Sequence, residues 1–159
     1  MTMNGRIKDH VKRVSLGADH GAFETKEALK RYLETLGYIV FDVGTYNGTT
    51  KVDYPDYAVK VAKKVVSGAC DRGIMLDAAG IGSAMACNKV KGIRAALCWS
   101  SQTIINSRAH NNANVLTMGA LQHSISEITA MAKLWLETPF DGGRHWPRIN
   151  KIMSIERSK

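Results

Sequence analysis

Residues 72–88 read "RGIMLDAAGIGSAMACN". An apolar run ends on Asp77, a loop of small residues follows at once, and helix-forming residues take over from Ser83. A strand that is apolar on both faces suits the middle of a parallel sheet, where helices cover it above and below. Gly80 and Gly82 then supply the tight turn from strand to helix. The stretch is a β-loop-α unit, and it predicts an α/β fold.

The same alternation extends in both directions. "RVSLGA" (13–18) is a strand that stops at Asp19-His20-Gly21. In "KEALKRYLETLG" (26–37), Leu29, Tyr32, Leu33 and Leu36 fall at i, i+3, i+4 and i+7, one face of a helix, and Gly37 stands at its C-cap. "YIVFDVG" (38–44) is a second strand. Pro55 opens a helix whose apolar face, Tyr57, Val61 and Val65, runs to Gly68. Beyond the glycine turn come a helix in "SAMACNKV" (83–90), a strand in "GIRAALCW" (92–99), and a helix in "SQTIINSRAHN" (101–111). "NVLTMG" (114–119) is the fifth strand, followed by a helix at 125–137, a polar link "TPFDGGRHW", and a last helix in "PRINKIMSIERS" (147–158). The pattern predicts one α/β domain over residues 14–159, with a five-stranded, mostly parallel sheet, after a basic lead-in over residues 1–13. Right-handed crossovers put the strand-to-helix loops at the carboxyl edge, where ligands bind in such sheets.

Bulk composition narrows the function. A chain of 159 residues with 45% hydrophobic and 23% charged residues is of ordinary globular type. It has no run of the roughly 20 apolar residues that a membrane span needs. The start has no apolar signal core, so cytoplasmic residence is expected. Cys70, Cys87 and Cys98 have no metal-type spacing and are expected to be buried free thiols. A formal charge of +8 favours anionic partners, either nucleic acid or phosphorylated metabolites. Lys and Arg are dispersed and aromatics are few, which disfavours a nucleic-acid surface.

The reactive groups gather at strand ends and loops. They are Asp19 with His20, Asp77 with Gly80 and Gly82, His110 with Asn111, and a basic cluster of Arg144, His145 and Arg148. Each also has a structural reading. Gly80-Ile81-Gly82 aims backbone N–H groups at an anion or simply turns the chain. Asp77 carries chemistry or caps a helix. Asp19-His20 is a catalytic pair or a turn, and His110 an acid–base group or a hydrogen-bonded structural residue. Arg144 and Arg148, four apart, grip one anion or form a solvated face. His10, His123 and His145 are expected at the surface. The loop matches neither a P-loop nor a full dinucleotide fingerprint.

Five segments in order, "GADHGAFETKEALKRYL", "DYPDYAVKVA", "GIGSAMACNKVKGIRAA", "SRAHNNANVLTMG" and "GGRHWPRINKI", resemble the ribose-5-phosphate isomerase B family, which includes galactose-6-phosphate isomerase subunits. The resemblance covers roughly residues 14–157. It implies a Rossmann-like three-layer sandwich without metal or cofactor, acting on a phosphorylated sugar. It also implies a homodimer, or dimer of dimers, whose active sites draw on both subunits, with no nucleic-acid or membrane partner. By resemblance His110 opens the sugar ring. Asn111 and the N–H groups of the Gly80–Gly82 loop hold the enediolate. Arg144, Arg148 and His20 bind phosphate, Asp19 contacts hydroxyls, and Tyr54 lines the pocket beside Ala78, Ala79 and Ser83.

Four positions depart from the family pattern. Asp77 replaces the proton-abstracting cysteine of one branch, and Ser83 stands where another branch has a glutamate base. Ala79 replaces a hydroxyl residue, and Leu121 replaces a phosphate-binding arginine. Asp77 is expected to be the base, a carboxylate in place of a thiolate. The alternative is a non-catalytic partner subunit of a two-chain isomerase that keeps the phosphate site. The substrate is expected to be ribose 5-phosphate or a tetrose or hexose phosphate.

Overall fold

The structure, a computed structural model, describes residues 10–156. Most of the expected basic lead-in, residues 1–9, and the end of the expected last helix, residues 157–158, lie outside the described residues. The strands are β1 (Arg13–Ala18), β2 (Ile39–Asp42), β3 (Arg72–Asp77), β4 (Ala95–Leu97) and β5 (Val115–Gly119). The helices are α1 (Phe23–Thr35), α2 (Tyr54–Val66), α3 (Ile81–Cys87), α4 (Ser101–Ala109), α5 (Ile125–Glu137) and α6 (Trp146–Ile155). The sheet order is β2-β1-β3-β5-β4 and every pairing is parallel.

Alternation along the strands divides the core between two faces. Val14, Leu16 and Ala18 of β1 and Ile74 and Leu76 of β3 point to one side. There they pack with Leu29 and Leu33 of α1, Ile104 of α4 and Trp135 of α5. Met75 and Val115 point to the other side, against Ala58, Val61 and Ala62 of α2 and Cys87 of α3. The result is the expected three-layer α/β sandwich. All three cysteines are buried free thiols. Burial, reinforced by the charge of Asp77, pushes the Cys87 thiol up to about 12, which removes it as a nucleophile. Among the described residues no helix is long and apolar enough to cross a membrane.

Two of the boundaries that differ from the sequence pattern have a plain local cause. β4 spans three residues rather than the whole of 92–99. Gly92 lies at φ +91 with its N–H donated to both carboxylate oxygens of Glu156, and the Arg94 N–H goes to the Asn114 side chain, so ladder pairing starts only at Ala95. α3 begins at Ile81, two residues early, because Gly80 at φ +76 completes the turn.

From β1 the chain moves outward to β2 and then returns past β1 to form β3. The space between the carboxyl ends of β1 and β3 is therefore the topological switch point of the sheet. α2 approaches this pair closely because Gly17 and Gly73 lack side chains. A Cβ on Gly73 would lie 2.6 Å from Val61 Cγ1, and one on Gly17 would lie 2.8 Å from Val61 Cγ2. Gly73→Ala is expected to destabilise the fold by about 1–3 kcal/mol through overpacking, read as a lower thermal midpoint.

Candidate functional site

Asp19 and Asp77 close the two strands that flank the switch point. Ala18 pairs with Leu76, and the Asp19 N–H donates to the Leu76 carbonyl at 3.2 Å, so the two aspartates emerge side by side. Their surroundings differ. Asp77 is 5% exposed, and its carboxylate organises the turn that follows it. Oδ1 accepts the N–H groups of Ala79 (3.0 Å) and Gly80. Oδ2 accepts the N–H (3.2 Å) and the hydroxyl (2.5 Å) of Ser83. A carboxylate offers about four acceptor positions, and here all four are filled. Asp77 thus plays the capping role, and the Gly80 N–H expected to face a substrate oxyanion is already taken. The N–H groups of Ile81 and Gly82, at the head of α3, have no acceptor among the described residues.

Asp19 is half-buried. Its Oδ1 caps the following 3-10 turn by accepting the Ala22 N–H at 3.1 Å, and Oδ2 has no hydrogen-bond partner among the described residues. Burial pushes the Asp19 carboxyl above the ordinary aspartate range. The Ala22 N–H opposes that shift, and the charge of Asp77 adds to it. His20 accepts the Val52 N–H at Nδ1 (3.2 Å), which leaves Nε2 as its donor. Tyr54, first residue of α2, lies over Gly82 so closely that a Cβ on that glycine would collide with the ring. The β5 end braces the turn: Leu121 and Ala120 donate N–H groups to the carbonyls of Ala78 and Asp77, and Thr117 donates its hydroxyl to the Gly80 carbonyl. Leu121 itself is 77% exposed at this mouth.

The remaining candidates lie elsewhere. α4 starts at the carboxyl edge and ends at the amino edge, where β5 begins, so His110 and Asn111 sit at the amino edge. The α5–α6 connection that carries Arg144 reaches the same edge, tied there by the Asp141 N–H to the Ala109 carbonyl at 2.9 Å. This corrects the expectation that all the reactive groups share the carboxyl edge. A parallel strand of about five residues separates the two sets by roughly 17 Å.

At the amino edge the imidazoles of His110 and His145 stack with centroids 4.4 Å apart and planes 9° apart. His145, expected at the surface, is instead 8% exposed. Gly142 and Gly143, both at positive φ, turn the chain so that its ring folds inward. Burial holds His145 below the ordinary histidine range, as do the charges of His110, Arg144 and Arg148, against the pull of Asp141. Arg144 and Arg148 are exposed beside it. Arg108, buried under this turn, donates to the Asn112 side chain (2.9 Å) and the Ala113 carbonyl (2.6 Å), fixing the loop that presents His110. Arg108, Asn106 and Asp141 have no part in the sequence reading, and His145 enters it as one of a basic cluster and is expected at the surface. A cation-stacked arginine and a helical asparagine carry no motif.

His110, Asp141 and His145 place ligand-type atoms within 4.8 Å of one another. Near-parallel stacked rings direct their in-plane lone pairs into separate planes, so both cannot reach one ion at the ~2.1 Å that metal bonding requires. The trio suits proton transfer and anion binding better than metal binding.

Fold and site define an α/β sandwich that carries acid–base groups at both edges of its sheet. The ribose/galactose isomerase family profile matches residues 14–152. Ribose-5-phosphate isomerase B of Escherichia coli is 35% identical over 149 residues, 94% of this chain and 99% of that protein. The structure of ribose-5-phosphate isomerase B from Clostridium thermocellum superposes with a TM-score of 0.89 at 42% identity, covering 92% of this chain and 98% of that one. The Mycoplasma genitalium enzyme with bound ribulose-5-phosphate gives 0.89 at 36% identity, covering 92% and 97%. The chain belongs to the ribose/galactose isomerase family and is an isomerase.

Asp77→Asn keeps an acceptor for Ala79 and Gly80 but turns an NH2 group against the Ser83 donors. It is expected to cost about 2–3 kcal/mol, read by thermal or urea unfolding. Asp19→Asn keeps the cap to Ala22 and removes a half-buried charge, so its thermal midpoint at pH 7 should equal or exceed that of the parent. The raised carboxyl makes parent stability fall as pH rises from the unfolded aspartate value through the folded one, and Asp19→Asn should flatten that slope.

Proposed function

We propose that this chain interconverts an aldose phosphate and its ketose phosphate through a cis-enediolate, at sites assembled from two copies of the chain. The separation of the functional groups carries the proposal. The carboxylates, His20, Tyr54 and the glycine turn lie at one edge, while His110, Asn111, Arg144 and Arg148 lie at the other. A two-fold pair of chains can bring opposite edges together twice, completing two sites. The free flank of β4 supports such pairing. A groove of about 800 Å³ runs along it, lined by Ile93, Leu97 and Ile152 and reaching Asn106 and Asn111. Met85, Trp99 and Ile155 stand more than half exposed, and apolar surface of this kind marks an interaction site.

In the reaction, Arg144 and Arg148 of one copy and His20 of the other hold the phosphate through charge-assisted hydrogen bonds. Ring opening breaks the bond between C1 and the ring oxygen, and the electron pair goes to that oxygen. His110 gives it a proton and takes back the proton of the anomeric hydroxyl. A carboxylate then removes the C2 proton, the electron pair forms the C1–C2 double bond, and the carbonyl oxygen becomes the enediolate oxygen. Asn111 and the N–H groups of Ile81 and Gly82 stabilise that charge. The proton on the C2 oxygen passes to the C1 oxygen, and return of the abstracted proton to C1 as the C2 carbonyl forms gives the ketose.

Two carboxylates can serve as the base. Asp77 holds the position that the family resemblance gives to this role, but it reaches a substrate only after surrendering the Ser83 hydroxyl. Asp19 already has an unpartnered oxygen at the switch point, and its raised carboxyl makes it the stronger base when ionised. The second fits the geometry better. Ala79 and Leu121 remove a hydroxyl and a cation from the mouth, so the preferred sugar phosphate should differ from ribose 5-phosphate in length or stereochemistry, with tetrose and hexose phosphates as the candidates.

Solvent-deuterium incorporation into a panel of tetrose, pentose and hexose phosphates tests both levels. Exchange that is abolished in Asp19→Asn but measurable in Asp77→Asn supports Asp19. The reverse pattern restores Asp77. No exchange with any sugar by the chain alone, with turnover restored by a paralogous chain, would establish the partner-subunit alternative. Mixing unfolded Asp19→Asn and His110→Ala chains and refolding them together should recover about a quarter of the parent activity, because half the random dimers carry one intact site of two. Recovery of none would place each site within one chain.

A further inference from the structure

Asn106 lies one helical turn before His110 on α4, and the proposed reaction does not use it. Its contacts nevertheless decide where the His110 proton resides. The Asn111 Nδ2 lies 3.2 Å from the Asn106 backbone carbonyl, an atom that can only accept, so the amide nitrogen of Asn111 must face Asn106. The same nitrogen lies 2.9 Å from Asn106 Oδ1, which fixes the acceptor end of the Asn106 amide toward Asn111. The donor end, Nδ2, is thereby turned to His110 Nδ1 at 3.0 Å. A nitrogen that faces an N–H donor at this distance must itself be unprotonated. No free amide flip remains in this chain of contacts, because it is anchored on a main-chain carbonyl.

We propose that Asn106 is a positioning residue that holds His110 as the Nε2–H tautomer, with the proton on the side from which a sugar ring oxygen is reached. On that side Asp141 Oδ2 lies 3.9 Å from Nε2, too far for a direct hydrogen bond, so the N–H remains available to a substrate oxygen. The inference rests on the assignment of His110 to ring opening. In that step the proton leaves Nε2 for the ring oxygen and the anomeric proton returns to Nε2, while Nδ1 keeps its bond to Asn106 throughout. Asn111 thereby acts on His110 through Asn106, and because both of its amide N–H groups are engaged there it reaches an enediolate only by giving up one of these bonds.

The decisive variant is Asn106→Asp, which is isosteric and replaces the donor facing Nδ1 with an acceptor. Long-range 1H–15N spectra of histidine-labelled protein, with His110→Gln to assign the signal, report the tautomer without any substrate. The parent should show Nε2–H at His110, Asn106→Asp should move the proton to Nδ1, and Asn106→Gln should lose the fixed preference. With whichever sugar phosphate of the panel is turned over, Asn106→Asp should lower kcat by about 10²-fold or more, the scale on which a wrong tautomer acts, with KM within about twofold. A parent spectrum with Nδ1–H, or an unchanged tautomer in Asn106→Asp, overturns the assignment. A changed tautomer with unchanged kcat overturns the positioning role. A correct tautomer in a protein that isomerises nothing in the panel counts against the isomerase proposal and leaves the tautomer assignment standing.

Discussion

All five strands run in the same direction, and that polarity governs where every functional group can lie. Each strand-to-helix turn falls on one edge of the sheet and each helix-to-strand turn on the other. A residue that ends a strand, such as Asp19 or Asp77, therefore shares an edge with Tyr54 and the Gly80–Gly82 turn. A residue that ends a helix, such as His110, cannot join them within one chain. Deprotonating carbon next to a carbonyl and opening a sugar ring call for groups of both kinds. The parallel sheet thus makes association a requirement of the proposed chemistry, and the exposed apolar flank of β4 is the surface on which it can occur.

At the switch point the proposed chemistry divides between two aspartates the work that a single residue was expected to do. Four hydrogen bonds give the Asp77 carboxylate a structural value that no thiol could match, since a thiolate is a weaker and softer acceptor. Replacing a cysteine with aspartate here therefore changes the turn itself: the Gly80 N–H and the Ser83 hydroxyl become tied to the strand end. Burial raises the carboxyl of its neighbour Asp19, and the charge of Asp77 adds to that shift. Paired titratable groups in unequal surroundings separate in this way, and the proposed chemistry gives Asp77 to the turn and Asp19 to the base.

The fold was legible because its signals are periodic. The apolar run at 72–77, the helical face of Leu29, Leu33 and Leu36, and the glycines that follow the elements each follow from one-dimensional spacing, and the strands and helices stand where that spacing puts them. The candidate site was legible only as a set of residue types. Asp19, His20, Asp77 and His110 stand out by residue type, but the edge to which each belongs depends on the direction of the element before it. His145 looked like a surface residue because a polar "GGRHW" link gives no sign that two glycines at positive φ fold the ring against His110. Asn106 had no signal at all. An asparagine on an exposed helical face acquires meaning only when the residues one turn later are a histidine and an asparagine with fixed donor directions.

One further burial links the helices to the site. The Lys26 ammonium is fully buried, bonded at 2.6 Å to both Asp42 and Glu27 and lying over the rings of Phe23 and Tyr46. A buried ion pair seldom adds net stability over a hydrophobic replacement, because desolvation offsets the attraction. Its value here is positional. Asp42 also accepts the Gly44 N–H at 2.9 Å, so the lysine pins the start of the loop over residues 43–52 to α1. The far end of that loop is Val52, whose N–H meets His20 Nδ1. The lysine thereby orients, through the length of that loop, the histidine proposed to bind phosphate. His20 and His110, at opposite edges, then obey the same rule: in each, a donor held at Nδ1 leaves Nε2–H for the ligand, supplied in one case by the main chain and in the other by Asn106.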